Sequence, residues 1–221
     1  MNTDLLPAIT IEPLGSHRAT VIWLHGLGAD GHDFEPVVHE MKLPDSLGVR
    51  FVLPHAPKRP VTVNGGYVMP AWYDIAAPDL RVEPDSEGIG ASRDALARLV
   101  DREIGGGIAP ERVILAGFSQ GGVIALETAA RHQDRVGGLI ALSCYAALPD
   151  SLPEAGRPVP VFMGHGTQDP VVPYPLGQTS RDLLTAKGYE VEWHGYSMPH
   201  SVCWEEIMDI KGWLTRRLGG P

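Results

Sequence analysis

The chain has only two cysteines in 221 residues, Cys144 and Cys203. That count excludes a disulfide framework, and neither cysteine has the spacing of a metal site, so both are read as buried free thiols. Cationic runs are also missing, with 18 Lys and Arg against 27 Asp and Glu and a formal net charge of -9. An acidic chain without a basic cluster is not suited to nucleic acid or to an anionic membrane surface. No segment reaches the roughly 18 apolar residues of a membrane span. The opening "MNTDLLPAITIEPLG" lacks the cationic start and apolar stretch of a secretory leader. The expectation is a cytoplasmic protein with no integral membrane segment. No linker or composition shift divides the chain either, so residues 1–221 are read as one domain.

What the chain does have is a series of short apolar runs: "TVIWL" from Thr20, "VRFVL" from Val49, "RVILA" from Arg112, "GLIALS" from Gly138, "VPVFM" from Val159 and "VEWHGY" from Val191. They are nearly continuous rather than alternating, as parallel strands covered on both faces should be. Between them, apolar residues recur at helical spacing. Phe34, Val37, Val38 and Met41 form one stripe, Ile89, Leu96, Leu99 and Val100 a second, and Val202, Ile207, Ile210, Trp213 and Leu214 a third. Gly188 after "LLTAK" is a helix stop. Strands alternating with helices predict an α/β fold built on a mainly parallel sheet. "AITIEP" reads as an antiparallel edge strand. From Pro54 to Gly88 the chain is rich in Pro, Gly and aromatics and has no long helical or strand pattern; a loop of that length is either functional or a structural excursion.

Two glycine motifs compete for the site. Gly26, Gly28 and Gly31 in "LHGLGADG" match a dinucleotide fingerprint, which would make the protein an oxidoreductase. That fingerprint needs a carboxylate at the end of the next strand, and here "FVL" runs into Pro54, His55 and Ala56, so no nucleotide cofactor is expected. The same bend can instead aim a main-chain N–H, that of Leu27, at a developing oxyanion. The second motif, Gly117-Phe118-Ser119-Gln120-Gly121, follows a predicted strand and opens a predicted helix. This is the setting of a nucleophile elbow, with Ser119 as nucleophile and the Gln120 N–H as a second donor. Gly117, Gly121 and Gly122 supply the room such an elbow requires.

A serine needs a base, and the base needs an orienting acid, which in this sheet type follow in the order Ser, acid, His. Asp169 lies in "GHGTQDPVVP" after the strand "VPVFM", on a loop at its carboxyl end; Asp134, Asp150 and Asp182 fall in helical or connecting positions. Of the nine histidines only His194 and His200 come later, and His194 is inside a strand. His200 in "SMPHS" is therefore the expected base, and His165 a rival only if chain order is abandoned.

These residues make the chain recognisable. "LHGLGADGHDF", "PHAPKRPVTVNGGYVMPAWYDI", "GFSQGGVIAL", "ALSCY", "HGTQDPVVP" and "MPHSVCWEEIMDIKGWL" resemble, in order and spacing, the acyl-protein thioesterase and bacterial carboxylesterase family, also called the phospholipase/carboxylesterase family. The likeness runs from about Thr20 to Leu214. It implies an α/β-hydrolase fold, a mainly parallel central sheet with helices on both faces and no cap domain. It also implies a serine mechanism without metal or cofactor, acting on carboxylic esters, lysophospholipids or S-acyl thioesters. Its catalytic pattern falls on Ser119, Asp169 and His200, with Leu27 and Gln120 as oxyanion donors. Members of the family often form dimers that can cover the active site, so a homodimer is one state open to this chain. The substrate groove is expected to be open, apolar and fed by the loop from Asn64 to Ile75. Trp72 and Tyr73 are candidate wall residues or, equally, core residues. Tyr145, where eukaryotic protein-depalmitoylating members carry Trp, joins the candidate substrate contacts. A hydrolase fold kept as a non-catalytic binding module is the alternative, and it has no need of an intact triad.

Overall fold

A computed structural model describes residues 5–219 apart from 81, 83 and 158. The opening four residues of the chain, read above for a leader, lie outside it. Seven strands form the central sheet: β1 (Ala8–Ile11), β2 (Ala19–Leu24), β3 (Val49–Pro54), β6 (Val113–Phe118), β7 (Gly138–Leu142), β8 (Pro160–Gly166) and β9 (Glu190–Tyr196). A separate antiparallel pair, β4 (Lys58–Val61) and β5 (Tyr67–Pro70), lies between β3 and β6 in the chain. The order in the main sheet is β1-β3-β2-β6-β7-β8-β9, parallel throughout except for β1, which runs antiparallel along β3 as expected of an edge strand.

Among the described residues five α-helices cover the sheet: α1 (Glu35–Met41), α2 (Ser86–Gly105), α3 (Gln120–Arg131), α4 (Tyr174–Ala186) and α5 (Trp204–Leu218). Strand alternation sorts the core into two layers. Ile22, Leu24, Val113 and Leu115 face Leu96 of α2, Ile124 of α3 and Leu184 of α4. Val21, Trp23, Ile114 and Ala116 face Val38 of α1 and Ile210 and Trp213 of α5. The helix ends follow local chemistry. Asp85 caps α2 by accepting from Gly88 N–H at 2.8 Å, α4 stops before Gly188 at φ 88°, and α5 begins with two glutamates and ends with Arg216 and Arg217, complementing its dipole. Among the described residues no helix is long and apolar enough to cross a membrane.

The segment from Pro54 to Gly88 is not wholly irregular. It holds β4 and β5, joined through Gly65 and Gly66, both at positive φ, and the first turn of α2. Strands of four residues carrying Pro60 and Pro70 give too short a pattern to read. Residues 81 and 83 of this segment lie outside the described ones. Both cysteines are free, but only Cys144 is buried; Cys203, the residue before α5, is partly exposed beside Trp204, itself 51% exposed.

Candidate active site

The chain order of the sheet reverses between β2 and β6, so the carboxyl ends of these strands open a crevice. One residue, Ser119, separates the end of β6 from the start of α3. It turns the chain with φ 54° and ψ -121°, a conformation that costs a non-glycine residue about 1–3 kcal/mol. Its N–H donates to Leu142 O at 2.9 Å, and its carbonyl accepts from Val123 N–H at 3.1 Å, so the turn is held from both sides. The crowding explains the glycines. A Cβ on Gly117 would strike the Gly121 carbonyl, and one on Gly121 would lie 2.5 Å from His25 O and 2.6 Å from Leu24 O. Gly122 is pressed likewise against Cys144. Burial raises the Cys144 thiol to about 12, which leaves it inert beside the elbow.

Asp169 and His200 come from the loops after β8 and β9. These loops are joined: Thr167 N–H donates to Tyr196 O at 2.8 Å and Gln168 N–H to Met198 O at 3.2 Å. Asp169 Oδ1 accepts from the N–H groups of Val171 and Val172 at 2.8 and 2.9 Å. Its Oδ2 lies 2.7 Å from His200 Nδ1, and His200 Nε2 lies 2.9 Å from Ser119 Oγ. The carboxylate side chain is fully buried while the imidazole keeps 15% of its surface exposed. With Nδ1–H donated to Asp169, Nε2 is left free to accept from the serine hydroxyl.

The rival histidines are committed elsewhere. His165 donates from Nε2 to Val172 O at 2.9 Å and lies 3.6 Å from Asp169 Oδ2; burial lowers its pKa, so it is a neutral prop for the acid's loop. His194 bonds Glu192 at 3.0 Å and stacks on Phe162.

The expected oxyanion donors face no competitor: no group among the described residues accepts from Leu27 N–H or Gln120 N–H. Gly28, at φ 79°, donates to Pro70 O at 2.9 Å, which ties the Leu27 loop to β5. His25, which sequence reasoning overlooked, and the side chain of Gln120, read there only for its backbone N–H, build this wall. His25 donates from Nδ1 to Gly26 O at 2.8 Å and accepts at Nε2 from Ala56 N–H at 3.1 Å, a neutral tautomer consistent with a pKa lowered by burial. The Gln120 side chain donates to Tyr73 O at 2.6 Å and accepts from Trp72 N–H at 2.8 Å, clasping that backbone as a strand would. The available signal was a polar residue at the edge of a buried run, which must find an internal partner.

Trp72, Tyr73 and Tyr145 are core residues, 0%, 3% and 5% exposed. Their burial places all three candidate substrate contacts in the core, the alternative already open for Trp72 and Tyr73. The indole N–H of Trp72 donates to His25 O at 2.8 Å and the Trp72 carbonyl accepts from Ser92, so the ring supports the Leu27 loop from behind. Tyr73 and Tyr145 meet through their hydroxyls at 3.5 Å. The surface groove next to the acid, about 520 Å³, is lined by Pro78 and Leu80 on one side and by Pro170, Val171, Pro173 and Leu176 on the other. Among the described residues no three His, Cys, Asp or Glu side chains are grouped to hold a metal ion.

The family model described as Phospholipase/Carboxylesterase matches residues 7–217. Acyl-protein thioesterase 1 of Neurospora crassa is 41% identical over 96% of this chain and 92% of its own length. Among solved structures, acyl-protein thioesterase 2 of Zea mays is similar at a TM-score of 0.84 and 30% identity, covering 96% of this chain and 99% of that one. SOBER1 of Arabidopsis thaliana is similar at a TM-score of 0.84 and 31% identity, covering 91% and 99%.

Proposed function

This chain belongs to the phospholipase/carboxylesterase family and is a hydrolase of the esterase or thioesterase type; on that premise we propose that it cleaves short- to medium-chain carboxylic esters, lysophospholipids and S-acyl thioesters through an acyl-enzyme on Ser119. The observation that carries this reading is the relay of Ser119 Oγ, His200 and Asp169 at 2.9 and 2.7 Å beside two unengaged N–H groups.

In the first half-reaction, Ser119 Oγ bonds to the acyl carbon while its proton passes to His200 Nε2. The carbonyl oxygen becomes an oxyanion that accepts from Leu27 and Gln120 N–H, and Asp169 stays ionised to hold the imidazolium. Collapse breaks the C–O or C–S bond, and His200 gives its proton to the departing oxygen or sulfur. In the second half, water loses a proton to His200 as its oxygen adds to the acyl carbon. Collapse then frees the acid and returns the proton to Ser119. A thiolate leaves with less help than an alkoxide, so this machinery serves both bonds, and discrimination falls to the walls. The groove of Pro78, Leu80, Val171 and Leu176 is our candidate for the acyl chain.

The test is kcat/KM for p-nitrophenyl esters and S-acyl peptides of matched acyl length, from acetyl to palmitoyl, in wild type and Ser119→Ala. Hydrolysis that depends on Ser119 is expected, and equal hydrolysis by Ser119→Ala would overturn the reading.

A further inference from the structure

Glu206 is a carboxyl the reaction does not use. It lies in the first turn of α5, six residues after His200, and is completely buried. Neither of its oxygens has a hydrogen-bond partner among the described residues. On one side its Oε1 presses on Gly164 of β8 so closely that a Cβ there would collide with it; the Tyr196 ring of β9 packs at the same point. Three segments therefore meet at this carboxyl: β8, which runs on to Asp169; β9, which runs on to His200; and α5, which leaves the His200 loop.

No cation faces it. On α5 itself Asp209 repels its charge, and the Cys203 sulfur lies near its backbone N–H. On β9, Tyr196 donates its hydroxyl to Asp209 at 2.9 Å, and His194 bonds Glu192 and lies 3.6 Å from Asp209. On β8, His165 turns away onto Val172 O. On α1, which also packs on α5, Glu35 and His39 are exposed to solvent.

We propose that Glu206 is a positioning residue for His200: as an uncharged acid it fills the junction of α5, β8 and β9, and its ionisation opens that junction and releases the base from the acid. The inference rests on His200 acting as the base. Burial, with Asp209 adding to it, pushes the Glu206 carboxyl up to about 8. Below that pH the carboxyl is neutral and fits its apolar surroundings. Above it a charge without donors must draw in water, and the structure that gives way carries His200.

The test is kcat/KM on a p-nitrophenyl ester at pH 7 and pH 9 for wild type, Glu206→Gln and Glu206→Met, with circular dichroism at both pH values to show that each is folded. A single group titrating near 8 leaves about a tenth as much neutral form at pH 9 as at pH 7. Wild type is expected to lose about tenfold between them, while either folded variant keeps most of its own pH 7 rate. A flat wild-type profile, or the same alkaline loss in a folded variant, would overturn the proposal. Ser119→Ala, assayed alongside, tests the relay separately: loss of hydrolysis there leaves the relay standing whichever way the pH comparison falls.

Discussion

At the amino end of β2, Thr20 Oγ1 donates to Glu103 at 2.8 Å and lies 2.8 Å from His17 Nε2; at the carboxyl end of β6, Ser119 Oγ lies 2.9 Å from His200, which Asp169 holds at 2.7 Å. Both ends of the sheet thus bring together a carboxylate, a histidine and a hydroxyl. Their order differs. At the amino end the hydroxyl stands in the middle, so its proton is already given to the carboxylate and the histidine has nothing to remove. Thr20 is buried within a regular strand, and Arg50 and Arg102 also bond Glu103. At the carboxyl end the histidine stands in the middle, the hydroxyl is on a strained turn, and two N–H groups have no partner among the described residues. On the proposed mechanism, reactivity comes from the sequence of hydrogen bonds and the unsatisfied donors beside them, and the residue inventory alone does not confer it.

The comparison breaks most sharply at Ser119. Ser119→Ala and His200→Ala are each expected to lower kcat/KM on a p-nitrophenyl ester by about 10⁴–10⁶, with similar losses because the relay acts as a unit. Activity that survives His200→Ala but is lost in a His165 or His194 variant would reassign the base. Asp169→Asn should cost about 10³–10⁴, since an amide that donates to His200 favours the wrong tautomer. Gln120→Ala keeps its backbone donor but loses the clasp on Trp72 and Tyr73; a loss of about tenfold in kcat/KM is expected from the slackened loop.

At the amino end the effect should appear in stability alone. Glu103→Gln is expected to leave kcat/KM within about twofold and to cost about 2 kcal/mol, a modest figure because Arg50 and Arg102 are partly solvated. Its pH dependence has a definite sign. Burial raises the Glu103 carboxyl, but hydrogen bonds from Thr20 and Arg102 and the charges of Arg102 and Arg50 outweigh it and hold it below its ordinary 4.5. The pairing therefore stabilises fully above about pH 4.5 and is lost as the pH falls through the lower native value. Wild-type Tm should drop across this acid range, and Glu103→Gln should flatten that part of the curve.

Much of this was legible in the sequence because it depends on local pattern. Continuous apolar runs mark covered parallel strands, and "GFSQGG" between a strand and a helix marks an elbow. Asp169 and His200 could be picked because each follows a later strand, and the structure brings both to Ser119. What could not be read depends on contacts between distant segments. Trp72 lies beneath the Leu27 loop because His25 O captures its indole, 47 residues away. The Gln120 clasp joins residues 47 and 48 apart. Glu206 reads as one more first-turn glutamate until β8 and β9 close over it. Thr20 and His17, only three residues apart, gave no sign of Glu103, which arrives from the end of α2.

The claim that the order of hydrogen bonds makes Ser119 alone reactive is tested most directly by labelling the folded protein with a fluorophosphonate and mapping the adduct by peptide mass spectrometry. One adduct, on Ser119, is the predicted result, sharply reduced in His200→Ala and unchanged in Thr20→Val. Folded wild-type protein that stays unlabelled, or an adduct at another hydroxyl with Ser119 untouched, would contradict it.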